Sequence, residues 1–152
     1  YIYRVTETTV VSMLTAGDIE GGRVHALQDK PVPPYVTLLR IHGPFLCGMT
    51  DKLADATADL TAFAPVVILR LRHMSAIDAT GLHALETFND RLTKTGRVLI
   101  LCGARAQPAA FLHQADFLEH VGEKNIVPHF QRALARAHEL RESTLRLAGS
   151  PV

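Results

Sequence analysis

The chain has no tryptophan, few other aromatics, two cysteines and a net charge of only +1. Few aromatics and little net charge argue against a base-stacking or electrostatic nucleic-acid surface. No apolar run approaches the roughly 18–20 residues a bilayer span requires, which predicts a soluble piece. Cys47 and Cys102 form no CxxC and sit among apolar neighbours, so both are expected to be buried thiols of a reducing compartment and not a disulfide. Motifs that would announce chemistry are also missing: there is no HExxH, HxH, GxSxG, GxGxxG or GxxxxGK[ST]. A catalytic site would have to assemble from scattered groups such as Cys47, Ser75, His73 and His83. No metal and no cofactor is expected, and the chain does not read as an enzyme.

What is present is regular punctuation. At 152 residues the length suits one domain with a proper core. Residues 1–34 read as a connector, with β-branched residues near the start that suggest a strand without clean alternation, then three glycines and three prolines. One short element is expected near Val24 to Leu27. The compact domain, residues 35–148, opens on "YVTLLRIHG", a strand stopped by Gly43-Pro44, with "FLCG" as a short continuation or a second strand. Met49, Leu53, Ala56, Leu60 and Phe63 form one apolar helical stripe, with Thr50 and Asp51 at its start and Pro65 beyond its end. "VVILRL" reads as a central parallel strand buried on both faces.

A second helix buries Leu82, Leu85, Phe88 and Leu92 and turns His83, Glu86, Asp90 and Arg91 to water. Gly96 is its expected C-cap. "RVLILCG" completes a βαβ unit. A third helix starts near Pro108 and continues through "DFLEHVG", then comes a short strand "NIV" and a last helix with Phe130, Leu134, Ala137 and Leu140 inward. The predicted architecture is α/β, with a mixed four- to five-stranded sheet and helices packed on it.

The most informative stretch is "MSAIDATGLHALE", where a strand gives way to a helix. Asp78 is placed to cap that helix through the amides of Thr80 or Gly81. Gly81 lets the first turn approach neighbouring backbone. A free helix N-terminus attracts anions, but here the Asp78 carboxylate would occupy the amides and repel a phosphate. The residues fit either a structural cap or a binding or switch site. A phospho-acceptor aspartate of the response-regulator kind would need further carboxylates to hold magnesium, and the strand ending His-Gly-Pro supplies none.

Three segments together resemble the STAS domain: "YVTLLRIHGPFLCGMTDKL", "VVILRLRHMSAIDATGLHALETF" and "GRVLILCGARAQPAAFLHQADF". The likeness covers about Tyr35 to Leu140. Gly43-Pro44-Phe45 followed by Gly48 is similar to the version at the cytoplasmic C-terminus of SulP-type anion transporters. That resemblance implies a non-catalytic regulatory and interaction domain of a secondary anion transporter, on the cytoplasmic face of the inner membrane, with transport carried by a part outside this chain. The absence of an initiating methionine fits a fragment of that kind. Implied partners are the transporter's own membrane domain, a homodimer mate and a cytosolic regulatory protein, with no nucleic acid. The implied contact region is Asp78, Ala79, Thr80 and Gly81 with His83 and Glu86. Related anti-sigma factor antagonists carry a phosphorylated serine where this chain has Ala79, so that switch is lost at this position. A free-standing regulator of that type, working without the phosphoserine, is the alternative, and a small enzyme or nucleotide-binding domain is a third reading.

Overall fold

The computed structural model describes residues 8–14 and 32–148. Among them lie six strands and five helices: β1 Val10–Leu14, β2 Val36–Phe45, α1 Asp51–Ala56, β3 Val66–Arg70, β4 Met74–Ile77, α2 Ala79–Lys94, β5 Val98–Cys102, α3 Ala106–Leu112, α4 Ala115–Val121, β6 Ile126–Val127 and α5 Phe130–Ala148. The sheet runs β1-β2-β3-β5-β6, and β4 pairs with the end of β2. β2, β3, β5 and β6 are mutually parallel, while β1 lies antiparallel on β2.

The strand side chains divide by parity, as the two-residue period of a strand requires. Leu39, Ile41, Val67, Leu69, Leu99 and Leu101 face one core with Leu85, Phe88 and Leu92 of α2 and Phe117 of α4. Val36, Leu38, Val66, Ile68, Ile100 and Cys102 face the other, under Phe130, Ala133 and Ala137 of α5. β3 is buried at all five positions, as expected of a parallel strand covered on both faces. Each fully buried leucine or isoleucine stabilises the fold by about 1.5–3 kcal/mol.

Six strands replace the four or five expected, and two come from segments with weak strand signals. β1 falls within the presumed connector, and its register is Val10 on His42 through Leu14 on Leu38. β4 has only four residues, and its first pairs with Gly43. The element expected near Val24 to Leu27 lies outside the described residues.

Gly43-Pro44 does not stop β2, which runs on to Phe45. Gly43 takes a positive φ of 93° and donates its N–H to the His73 carbonyl at 2.9 Å. The register shifts between Gly43 and Phe45, an irregularity that accommodates a proline without breaking the strand.

The first helix is also shorter than its apolar stripe. It ends at Ala56, where Thr57 leaves the helical conformation at φ −117° and ψ 23° while its hydroxyl and N–H donate to the Leu53 carbonyl, and Asp59 caps a separate 3-10 turn over Leu60–Ala62. The expected third helix is two, α3 and α4, with Pro108 in the first turn of α3. Cys102 is buried as expected, with its thiol pKa pushed up to about 12 by that burial. Cys47, expected to be buried, is exposed, because the chain has left the sheet at Phe45 and turns through Gly48 at a φ of 88°.

Candidate functional site

The Asp78 turn sits at the C-terminal edge of the parallel strands, where β4 feeds α2. β4 is fixed there on two sides. Its C-terminal Ile77 pairs with Phe45 of β2, and the Gln107 side-chain amide completes the other edge. Gln107 Nε2 donates to the Ile77 carbonyl at 2.7 Å, and the Ile77 N–H donates to Gln107 Oε1 at 3.0 Å. A side-chain amide thus makes the two bonds that a further strand would make.

Asp78 follows immediately, with extended backbone, as the N-cap of α2. Its Oδ1 accepts the Gly81 N–H at 2.8 Å, and its Oδ2 accepts the Cys47 N–H at 2.9 Å. The two amides hold its carboxyl below the ordinary carboxylate range, Gly81 contributing most and Cys47 next. One carboxylate therefore starts the helix and ties it to the loop after β2. Gly81 completes the clamp: a Cβ there would lie 2.2 Å from the Phe45 carbonyl oxygen and 2.8 Å from Ile77 Cγ1. Any side chain at this position would push the helix off the strand.

The remaining turn residues point elsewhere. Ala79, Thr80 and His83 are exposed. Glu86, expected to face water, is half-buried, and its Oε2 lies 3.9 Å from His120 Nδ1. His120 Nε2 lies 2.7 Å from Asp90 Oδ1. Glu86 and Asp90, four residues apart on α2, thus grip one imidazole of α4. Arg91 is also half-buried and donates from Nη1 to the Thr57 hydroxyl at 3.1 Å. The arrangement presents a slim exposed ridge, Ala79-Thr80-His83, above a rigidly held helix start.

The scattered candidates for nucleophilic chemistry are not joined. Among the described residues no hydrogen bond links Cys47 or Ser75 to a histidine. The His73 ring lies 5.5 Å from that of His42, and burial, then His42, holds its pKa below the usual histidine value. No group of three or more His, Cys, Asp or Glu side chains among the described residues has metal-holding geometry.

Residues 28–145 match the STAS domain family. The chain belongs to this family. Among solved structures, a sulfate transporter family protein from Wolinella succinogenes is 36% identical, with a TM-score of 0.69 over 78% of this chain and 98% of that one. The SulP transporter STAS domain from Vibrio cholerae is 24% identical, with a TM-score of 0.64 over 81% and 98%. YvdB of Bacillus subtilis (strain 168), a protein named for sulfate transport, is 23% identical over 116 residues, which is 72% of this chain and 22% of that protein. This STAS domain therefore spans about a fifth of that curated relative. The fold alone is shared with an anti-sigma factor antagonist from Thermotoga maritima, 14% identical with a TM-score of 0.62 over 71% of this chain and 92% of that one.

One group escaped the sequence reading. "TLLR" and "VILR" each end an apolar strand run in arginine, and the parallel register sets Arg40 directly beside Arg70. The signal was the repeated terminal arginine, which means little until the register of the two strands is known.

Proposed function

We propose that this STAS domain is the regulatory and interaction module of a SulP-type secondary anion transporter, without catalysis of its own. In this reading it works at the cytoplasmic face of the membrane, docked on the transporter's membrane domain. A homodimer mate and a cytosolic regulatory protein are its further partners. The observation that carries this reading is the 36% identity to a sulfate transporter family protein, over 98% of that chain.

The geometry of the turn supports an interaction role. Asp78 has both oxygens occupied by backbone amides, so it shapes the turn and leaves contact to its neighbours. Ala79, Thr80 and His83 form the exposed part of the contact region, with Glu86 at its margin. The module acts by rigid presentation of that ridge.

The test is anion uptake by cells expressing the full-length gene product, with His83→Glu and Glu86→Lys introduced together. Reduced uptake with unchanged membrane abundance is the expected result. Unchanged uptake together with unchanged partner binding would remove the ridge from the mechanism. The alternative, a free-standing regulator of the anti-sigma factor antagonist type, draws on the shared fold. It would have to work without a hydroxyl at position 79.

A further inference from the structure

The α5 face of the sheet ends in a row of polar residues. In register across four strands stand Ser12, Arg40, Arg70 and Cys102. The rows before it on this face are apolar, with Leu38, Ile68 and Ile100 side by side. Two arginines directly opposite each other on neighbouring strands repel. Arg70 is only 8% exposed, and its guanidinium lies 5.3 Å over the Phe130 ring. Arg72 follows two residues later, and Arg105 stands beyond Gly103 at the same edge.

No carboxylate among the described residues answers these charges. Among the described residues the ion pairs all lie elsewhere, on His120 and Arg136. The Arg70 guanidinium has no hydrogen-bond acceptor among the described residues, and it lies over the Phe130 ring. Among the described residues, the buried polar side-chain atoms without a partner are Ser12 Oγ and Arg40 Nε, and both belong to this row. Burial, together with the positive charges of Arg72 and Arg40, works against the charge on Arg70. A buried cation without a partner is costly, so the arrangement calls for an anion.

A place for one exists. A groove of about 460 Å³ is lined by Arg70, Arg72, Arg105, Gly103, His129 and Phe130, with no acidic side chain among the described residues of its wall. It opens at the C-terminal ends of β3 and β5, the edge at which open α/β sheets hold ligands. The N-terminus of the 19-residue helix α5 forms part of its wall. Within that helix the Arg132 N–H is taken by His129 Nδ1 and the Ala133 N–H by the His129 carbonyl. The first amides, of Phe130 and Gln131, have no acceptor within the helix and add positive potential.

We infer that this groove is a binding site for a tetrahedral oxyanion, sulfate or a phosphoryl group, held by the guanidinium forks of Arg70, Arg72 and Arg105. Planar forks of paired N–H groups suit such oxygens and do not suit a spherical halide equally well. The groove exceeds one ion in size, so a phosphate ester fits as well as the free ion. This site lies apart from the Asp78 turn, and the inference does not depend on the transporter reading.

Isothermal titration of the 152-residue chain with sodium sulfate, sodium phosphate and glycerol 3-phosphate, at ionic strength matched with sodium chloride, tests it. Saturable binding of at least one oxyanion is expected, with about tenfold weakening in Arg72→Gln and in Arg105→Gln. Arg70→Met should abolish it, and Arg146→Gln, at the far end of α5, should not affect it. Both single variants at exposed positions keep the test decisive if Arg70→Met fails to fold. Tighter binding of the ester assigns the site to an esterified phosphoryl group, and equal or weaker binding assigns it to the free ion. No saturable oxyanion binding, equal binding of chloride, or unchanged affinity in Arg72→Gln and Arg105→Gln would overturn the assignment.

Discussion

The Asp78 turn and the arginine row stand at the same edge of the sheet and treat charge in opposite ways. Asp78 carries one negative charge, and both its oxygens accept backbone N–H groups within 2.9 Å. Arg40, Arg70, Arg72 and Arg105 carry four positive charges and make no ion pair among the described residues. A charge whose partners are already in place holds structure. A buried charge lacking a partner marks where something else binds. By that criterion the residue that stands out in the sequence is architectural, and the quieter ones at the strand ends are available for ligand.

Substitutions should separate the two regions. The largest effect within these two regions belongs to Gly81→Ala, which forces a methyl to within 2.2 Å of the Phe45 carbonyl. A loss of about 3 kcal/mol in urea unfolding is expected, at the upper end of overpacking costs, and a neutral result would refute the clamp. Arg70→Met should behave differently. In anion-free buffer it removes a repelled cation along with its contact to Phe130, so stability should change by no more than about 1 kcal/mol. Leu85→Ala, a fully buried core reference, should cost about 2–5 kcal/mol in the same assay. If Arg70→Met cost as much, the arginine would be structural and the contrast would fail.

Smaller effects concern pH. The folded state lowers the Asp78 pKa, so its contribution is fully present above the unfolded carboxylate value of about 4. It is lost as pH falls through the lower folded value. Asp78→Asn should flatten that acid limb, as read by thermal unfolding across acidic pH. His73 also has a lowered pKa, through burial, then His42, Arg40, Arg72 and Arg70. Its neutral form is favoured on folding, so stability should decline as pH falls below about 6.5. An oxyanion among those arginines should bring the His73 pKa back up, which nuclear magnetic resonance titration with and without sulfate would show. The same pKa in both conditions would count against the arginines as the anion's ligands.

Much of the fold was legible because the strong signals were local. The apolar run around Ile68, the stripe Leu82-Leu85-Phe88-Leu92 and the glycine after α2 each encode an element without outside help. Asp78 as a cap was legible for the same reason, since its Gly81 partner lies three residues away. Its second bond, to Cys47, was not, because that contact depends on β4 pairing with the end of β2. The breaks after Ala56 and Leu112 were hidden by apolar spacing that continues across them. Arg40 beside Arg70 was hidden most completely: it exists only through strand register, and Glu86 beside His120 only through helix packing.

The central claim is that this STAS domain serves a SulP-type transporter, and the coding sequence upstream of Tyr1 tests it most directly. The account predicts a series of apolar segments of about 18–20 residues each, ending shortly before "YIYRV". A start codon close to Tyr1 with no such segments would contradict it and favour the free-standing regulator.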